Sequence, residues 1–263
     1  MPELPASVRL SLWTTHAWAT GSPLESSIAQ ALPDIDHVAG DLDRLGLWHD
    51  LGEQALLVAL PAPGDLVGMP GASPDAQGAA AASGECVFVP ALGGVLVPTI
   101  STYGADSAAG REPGRGSGPD VGTRVDWTAY DADPVPRHRV EALEASQLER
   151  HLREEIRAAT EAVDAIGGQP FGAGAARELA DAALGGRWGL PPGLPGRPAR
   201  VIALAGTIVS VVDVALAAGD GALTATESGS RQRVLQRLQR ASERALADAT
   251  NAACAVLAGW RPA

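Results

Sequence analysis

Hydrophobic positions along this chain keep two different periods. Up to about residue 130 they alternate or come in short apolar bursts, and beyond about residue 145 they recur at helical spacing. In the first part, Val8, Leu10 and Leu12 alternate within "SVRLSLW", which predicts a half-buried strand. "SPLE" follows, with Ser22 as N-cap, Pro23 at the first helical position and Glu25 three residues after the cap. That is a capping box and predicts a helix start. Pro33 ends this helix. Asp34 caps a second one, in which Ile35, Val38, Leu42 and Leu45 recur at spacings of 3, 4 and 3 before Gly46.

Strand-like runs come next. "QALLVALPAPGDLVGMP" reads as strand, turn at Pro63-Gly64-Asp65, and strand, while "ECVFVPALGGVLVPTIST" reads as a hairpin about Gly93-Gly94. "TRVDWTAY" sets Val125, Trp127 and Ala129 against Asp126 and Thr128. "GASPDAQGAAAASG" and "GADSAAGREPGRGSGPD" read as loops. Strands joined by short turns predict an antiparallel meander.

"DADPVPRHR" ends this pattern. Leu148, Leu152, Ile156, Ala159, Val163 and Ile166 then form one apolar stripe. Glu149 and Arg153, Arg150 and Glu154, and Arg157 and Glu161 pair at i,i+4 on the other face. A short helix at about 174–184, an apolar helix over 199–218 and a long helix over about 229–258 complete the chain. The fold class is α+β: an antiparallel β-meander with two leading helices, then an all-helical C-terminal half of about four helices. Residues 1–134 form one lobe and 135–263 the other, with one single compact domain as the alternative.

Composition narrows the chemistry. All 20 basic residues among the 263 are arginine, and lysine is absent. No Schiff base, P-loop lysine or kinase-type lysine exists, so no lysine-linked cofactor is expected. The Ala, Gly, Pro and Arg abundance points to a GC-rich bacterial genome. Cys86 and Cys254 lie in apolar surroundings and read as reduced core thiols of a cytoplasmic protein. The N-terminus has two prolines, an early glutamate and no long apolar run, so it does not read as a signal peptide. The 199–218 segment is long enough to span a bilayer, but Arg200 and Asp213 favour a buried core helix.

Charge is uneven. Residues 1–75 carry ten acidic side chains against Arg9 and Arg44, which gives −8. Residues 229–244 carry five arginines against Glu243, which gives +4. Arg233, Arg237, Arg240 and Arg244 follow at spacings of 4, 3 and 4, one stripe on a helix and the main interaction candidate. The net charge of −11 argues against a nucleic-acid partner. The acidic 34–53 region, on the same chain or a second copy, is the expected counterpart of the stripe.

Metal ligands, if any, fall in "PDIDHVAGDLDRLGLWHDLGE", with Asp34, Asp36, His37 and Asp43 as candidates for a metal-dependent hydrolase. A calcium loop from Asp41 fails at Leu45 and Gly52, and the cluster also reads as a solvated face opposite Ile35 and Leu42. His151 with Glu154 and Glu155, and His16 between Trp13 and Trp18, are weaker constellations. Gly-x-Ser-x-Gly, Cys-x-x-Cys and His-Glu-x-x-His are absent. The expected function is therefore non-catalytic, through contacts with another protein or self-association, with no metal or cofactor. A small-ligand or anion binder using tryptophans and arginines is the other alternative.

Overall fold

A computed structural model describes residues 3–104, 122–166, 188–217 and 225–262. Two compact units divide the chain: Ala6–Arg137, and Met1–Pro5 with His138–Ala263. The class is α+β, with the strands in the first unit and long helices in the second.

The first unit opens with α1 (Ala6–Thr20) and α2 (Leu24–Ala31), then β1 (His37–Gly40), α3 (Asp43–Asp50) and β2 (Leu57–Ala59). α4 (Pro74–Ser83), β3 (Cys86–Val89), β4 (Gly94–Tyr103) and β5 (Gly122–Asp131) follow. The five strands lie in the order β1-β5-β4-β3-β2. β5, β4, β3 and β2 pair antiparallel, as a meander does. β1 departs from it by pairing parallel to β5, with Val38 beside Val125, so the sheet is mixed.

Three sequence expectations change here. The strand at Ser7–Trp13 is instead helix α1. Its alternation is misleading because the helix is buried almost all round, including Ser7, Arg9, Ser11, Thr14 and Thr15. The Ser11 and Thr15 hydroxyls are satisfied within the unit, while Thr14 Oγ1 and Trp18 Nε1 are buried without a hydrogen-bond partner among the described residues. Ser11 Oγ donates to the Leu56 carbonyl at 2.6 Å, and Thr15 Oγ1 accepts the Leu56 N–H at 3.0 Å. The Glu85 carboxylate accepts the Ser7 N–H at 2.6 Å in the first turn, where helix donors have no partner of their own.

The helix expected from Asp34 to Leu45 is split into β1 and α3. Long-range hydrogen bonds outweigh its helical period. The Asp36 carboxylate accepts the Thr123 N–H at 2.7 Å and the Asp41 carboxylate that of Ala129 at 2.8 Å, which pins both ends of β1 to β5. Gly40 has φ 96°, and a Cβ there would stand 2.1 Å from the Trp127 carbonyl oxygen. Only glycine fits that approach.

The loop expected over 71–84 contains α4. Ser73 caps it by accepting the Ala76 N–H at 3.2 Å, Pro74 opens it, and Gly84 ends it at φ 80°. Smaller differences follow. Ser22 Oγ lies 2.8 Å from Thr20 Oγ1 rather than capping α2, which starts at Leu24. The second arm expected after Asp65 is not a strand, although an Ala62–Asp65 bridge closes the turn. The glycine-rich loop beyond Gly104 and the helix expected at 174–184 lie outside the described residues. The main core of this unit joins Leu10, Leu45 and Trp48 to Val87, Val89, Leu96, Val125 and Trp127. Burial of each such side chain contributes roughly 1.5–3 kcal/mol.

A short helix, α5 (Arg137–Glu141), straddles the boundary between the units. The second unit packs α6 (Ala145–Ile166), α7 (Gly196–Ala217) and α8 (Ala225–Leu257) against one another. Leu4 joins it because Gly206 of α7 leaves room: a Cβ there would sit 2.5 Å from Leu4 Cδ2. Arg261 ties the end of the chain to the start of α6 through the Leu143 carbonyl and Glu144. By length and composition α7 could cross a membrane. Its Asp213 accepts a hydrogen bond from Gln239 of α8 at 2.7 Å, and burial raises the Asp213 pKa.

Candidate functional site

The acidic segment is built into the sheet unit residue by residue. Asp34 forms a two-pronged ion pair with Arg9, whose guanidinium is almost wholly buried. Asp36 and Asp41 accept strand N–H groups, as above. The His37 ring lies 5.3 Å from that of Tyr103. Asp43 opens α3 and is exposed. His49 stacks on Trp18 at 5.3 Å. Glu53 is buried and accepts the Ala91 and Leu92 N–H groups at 2.8 and 2.6 Å, which fastens the β3–β4 turn. Burial raises its pKa, against the lowering effect of those two donors.

Asp34, Asp36, Asp41 and Glu53 are engaged one at a time, the last three by backbone N–H groups. Among the described residues no three His, Cys, Asp or Glu side chains are grouped to hold a metal ion. Asp34, Asp36, His37 and Asp43 are therefore not assembled into one centre. Of the other group, His151 and Glu155 line a groove with the arginines. Cys86 is fully buried and its thiol is pushed up to about 12, chiefly by that burial, which leaves it unreactive. Cys254 is a buried thiol outside any disulfide.

The arginine stripe lies on α8, and its acidic neighbours come from its own unit. Arg237 donates to both Glu155 oxygens of α6, at 3.2 and 3.1 Å. Arg240 donates to Glu243 at 2.7 Å. Arg244 acts electrostatically on Asp248. Arg233, one turn earlier, folds back onto the Gly229 carbonyl and Ser230 Oγ. Thus three of the four line or flank one groove of about 600 Å³ between α6 and α8, floored by Leu148, Ala241 and Ala245. α6 supplies the counter-charge to Arg237 in the structure, where the sequence had pointed to the 34–53 region.

A second cleft, of about 570 Å³, was not foreseen. It lies in the sheet unit between α3 and the β3–β4 turn. Trp48 forms its wall, Leu47, Leu51 and Leu92 stand at its mouth, and Arg44 and Asp131 add opposite charges. Leu47 is 46 % exposed, Leu51 60 % and Leu92 44 %, so three of the chain's exposed large hydrophobics meet at one place. Tyr130 lines the cleft as well. Gly94 makes the space, for a Cβ there would sit 2.4 Å from Trp48 Cζ2. The sequence signal was present but divided. "GLWHDLG" carries Leu47, Trp48 and Leu51 on one side of a helix, and Gly93-Gly94 marks a turn. Nothing local brings the two together.

The geometry defines a two-unit α+β protein with a cleft beside Trp48 in the sheet unit and an arginine-lined groove between α6 and α8. The chain belongs to the Rv1486c-like protein family: its N-terminal domain model matches residues 7–142 and its C-terminal domain model residues 146–247. No curated protein and no solved structure matches the chain. The two family domains meet between α5 and α6, a few residues beyond the boundary of the compact units.

Proposed function

We propose that this chain is a non-catalytic cytoplasmic protein that works by protein contact, and that the cleft under Trp48 is its docking surface. One observation carries this reading: Leu47, Leu51 and Leu92 are left in water around a single indented site. Clustered exposed apolar side chains cost solvation, and their burial by a partner would recover it. Scattered exposed leucines would carry no such implication. The hydrolase reading is weaker, because Asp34 is engaged by Arg9 and Asp36 by the Thr123 N–H, away from the exposed Asp43. A second copy of the chain and a different protein are both occupants of suitable chemistry.

The test is a paired capture and sizing experiment. Leu47→Ser with Leu51→Ser should abolish a specific captured protein, or abolish concentration-dependent self-association. Val67→Ser serves as the control, since Val67 is 67 % exposed and lies outside the cleft. Identical captured proteins and identical sizing profiles for all three proteins would sink the proposal.

A further inference from the structure

We infer that the groove between α6 and α8 binds a small tetrahedral oxyanion ester, a phosphate monoester with an apolar body, on Arg237, Arg240 and Arg244. This site is independent of the cleft under Trp48. Its size, about 600 Å³, suits a small ligand. The three arginines stand at spacings of 3 and 4, so they are neighbours on one face of α8. Guanidinium forks present several donors to one oxyanion and bind it at lower desolvation cost than an ammonium. The apolar floor of Leu148, Ala241 and Ala245 accounts for the body of the ligand.

The groove already holds internal anions, which indicates how a ligand would enter. Glu155 occupies the fork of Arg237, but Arg237 is 74 % exposed, and that fork can turn to a ligand at small cost. Asp248 is different. It is half-buried and its pKa is pushed up to about 6 by that partial burial, with Arg244 pulling the other way. Its charge is held against a solvation cost. A ligand that brings its own charge to Arg244 lets Asp248 take up a proton, so binding and protonation are coupled. The other charged or titratable groups lining the groove are His151 and Glu155 from α6 and Arg237 and Arg240 from α8.

Calorimetric titration of the full chain tests this with phenyl phosphate, inorganic phosphate and phenyl sulfate. Phenyl sulfate keeps one charge from pH 5.5 to 7.5, so its pH response reports the protein. One site per chain is expected, with phenyl phosphate tighter than inorganic phosphate. Arg237→Gln with Arg244→Gln should weaken it at least tenfold. Phenyl sulfate should bind several-fold tighter at pH 5.5 than at 7.5, and Asp248→Asn should give the tighter value at both. Asp248→Asn removes a half-buried charge, so it remains informative if the arginine variant misfolds. No saturation at millimolar ligand, or affinities unmoved by Asp248→Asn, would overturn the inference.

Discussion

Arg237 on α8 grips Glu155 on α6 across 82 residues of sequence, through hydrogen bonds of 3.2 and 3.1 Å. The pair is lopsided: the arginine side chain is 74 % exposed and the glutamate 18 %. Exposure limits its worth to about 0.2–1 kcal/mol. Arg237→Ala should therefore lower the unfolding free energy by no more than about 1 kcal/mol. Arg237→Glu should cost more, because it sets like charges face to face, and adding Glu155→Arg should restore part of the loss. Denaturant melts of the parent, Arg237→Glu, Glu155→Arg and the double variant form the cycle that checks it. Pure additivity would mean that the two side chains do not interact in solution.

How much of this was legible follows from range. α6 was readable because one amphipathic stripe, with Leu152 buried, needs nothing beyond its own sequence. The β3–β4 hairpin was readable from a glycine pair and flanking apolar runs. α1 was not, because burial on nearly every side removes the contrast that periodicity needs. β1 was not, because its place depends on hydrogen bonds from Asp36 and Asp41 to residues 87 and 88 positions away. Glu155 was visible as a charged residue on α6, but its contact with Arg237 depends on how two helices cross. The cleft was missed for the same reason: α3 and Gly94 are distant in sequence.

Arg9 should be the most sensitive charged position in the sheet unit. It is 3 % exposed, paired with Asp34, and lowers the Glu85 pKa against the dominant effect of burial. Arg9→Met keeps much of the volume but leaves Glu85 buried without its nearby cation. The expected loss is about 3 kcal/mol or more, as for other broken buried pairs. Arg9→Lys should lose less, since one charge remains but the two-pronged geometry does not. A denaturation midpoint for Arg9→Met within error of the parent would refute this account.

Asp248 gives the chain a pH dependence whose sign is fixed. Its folded pKa, about 6, lies above the ordinary 3.8, so the folded state holds a proton that the unfolded state has lost. The associated stability is full below about pH 4 and disappears as pH rises through about 6. Asp248→Asn, which cannot ionise, should match the parent near pH 4 and exceed it by roughly 1–3 kcal/mol at pH 7.5. Paired melts across this range isolate Asp248 from the other raised carboxylates, Glu53, Glu85 and Asp213, which both proteins share. A constant difference at every pH would contradict the assignment.

Gly94 offers a sharper probe of the cleft than any leucine at its mouth. Its Cα faces the Trp48 ring so closely that an added methyl would fall 2.4 Å from Cζ2 and 2.8 Å from Cε2. Trp48 is 7 % exposed and sits in the main core, so its ring cannot swing away without losing burial. Nor can the backbone yield easily, because Gly94 pairs with Val89 on one side and Asp131 on the other. Gly94→Ala should thus cost about 1–3 kcal/mol by overpacking, although alanine suits a strand better than glycine does. Displacement of the indole should also shift the tryptophan emission. Gly94→Ala with Trp48→Phe, a smaller ring, should regain most of the stability. If the single variant melts like the parent with unchanged emission, the close contact between β4 and α3 that shapes the cleft does not exist.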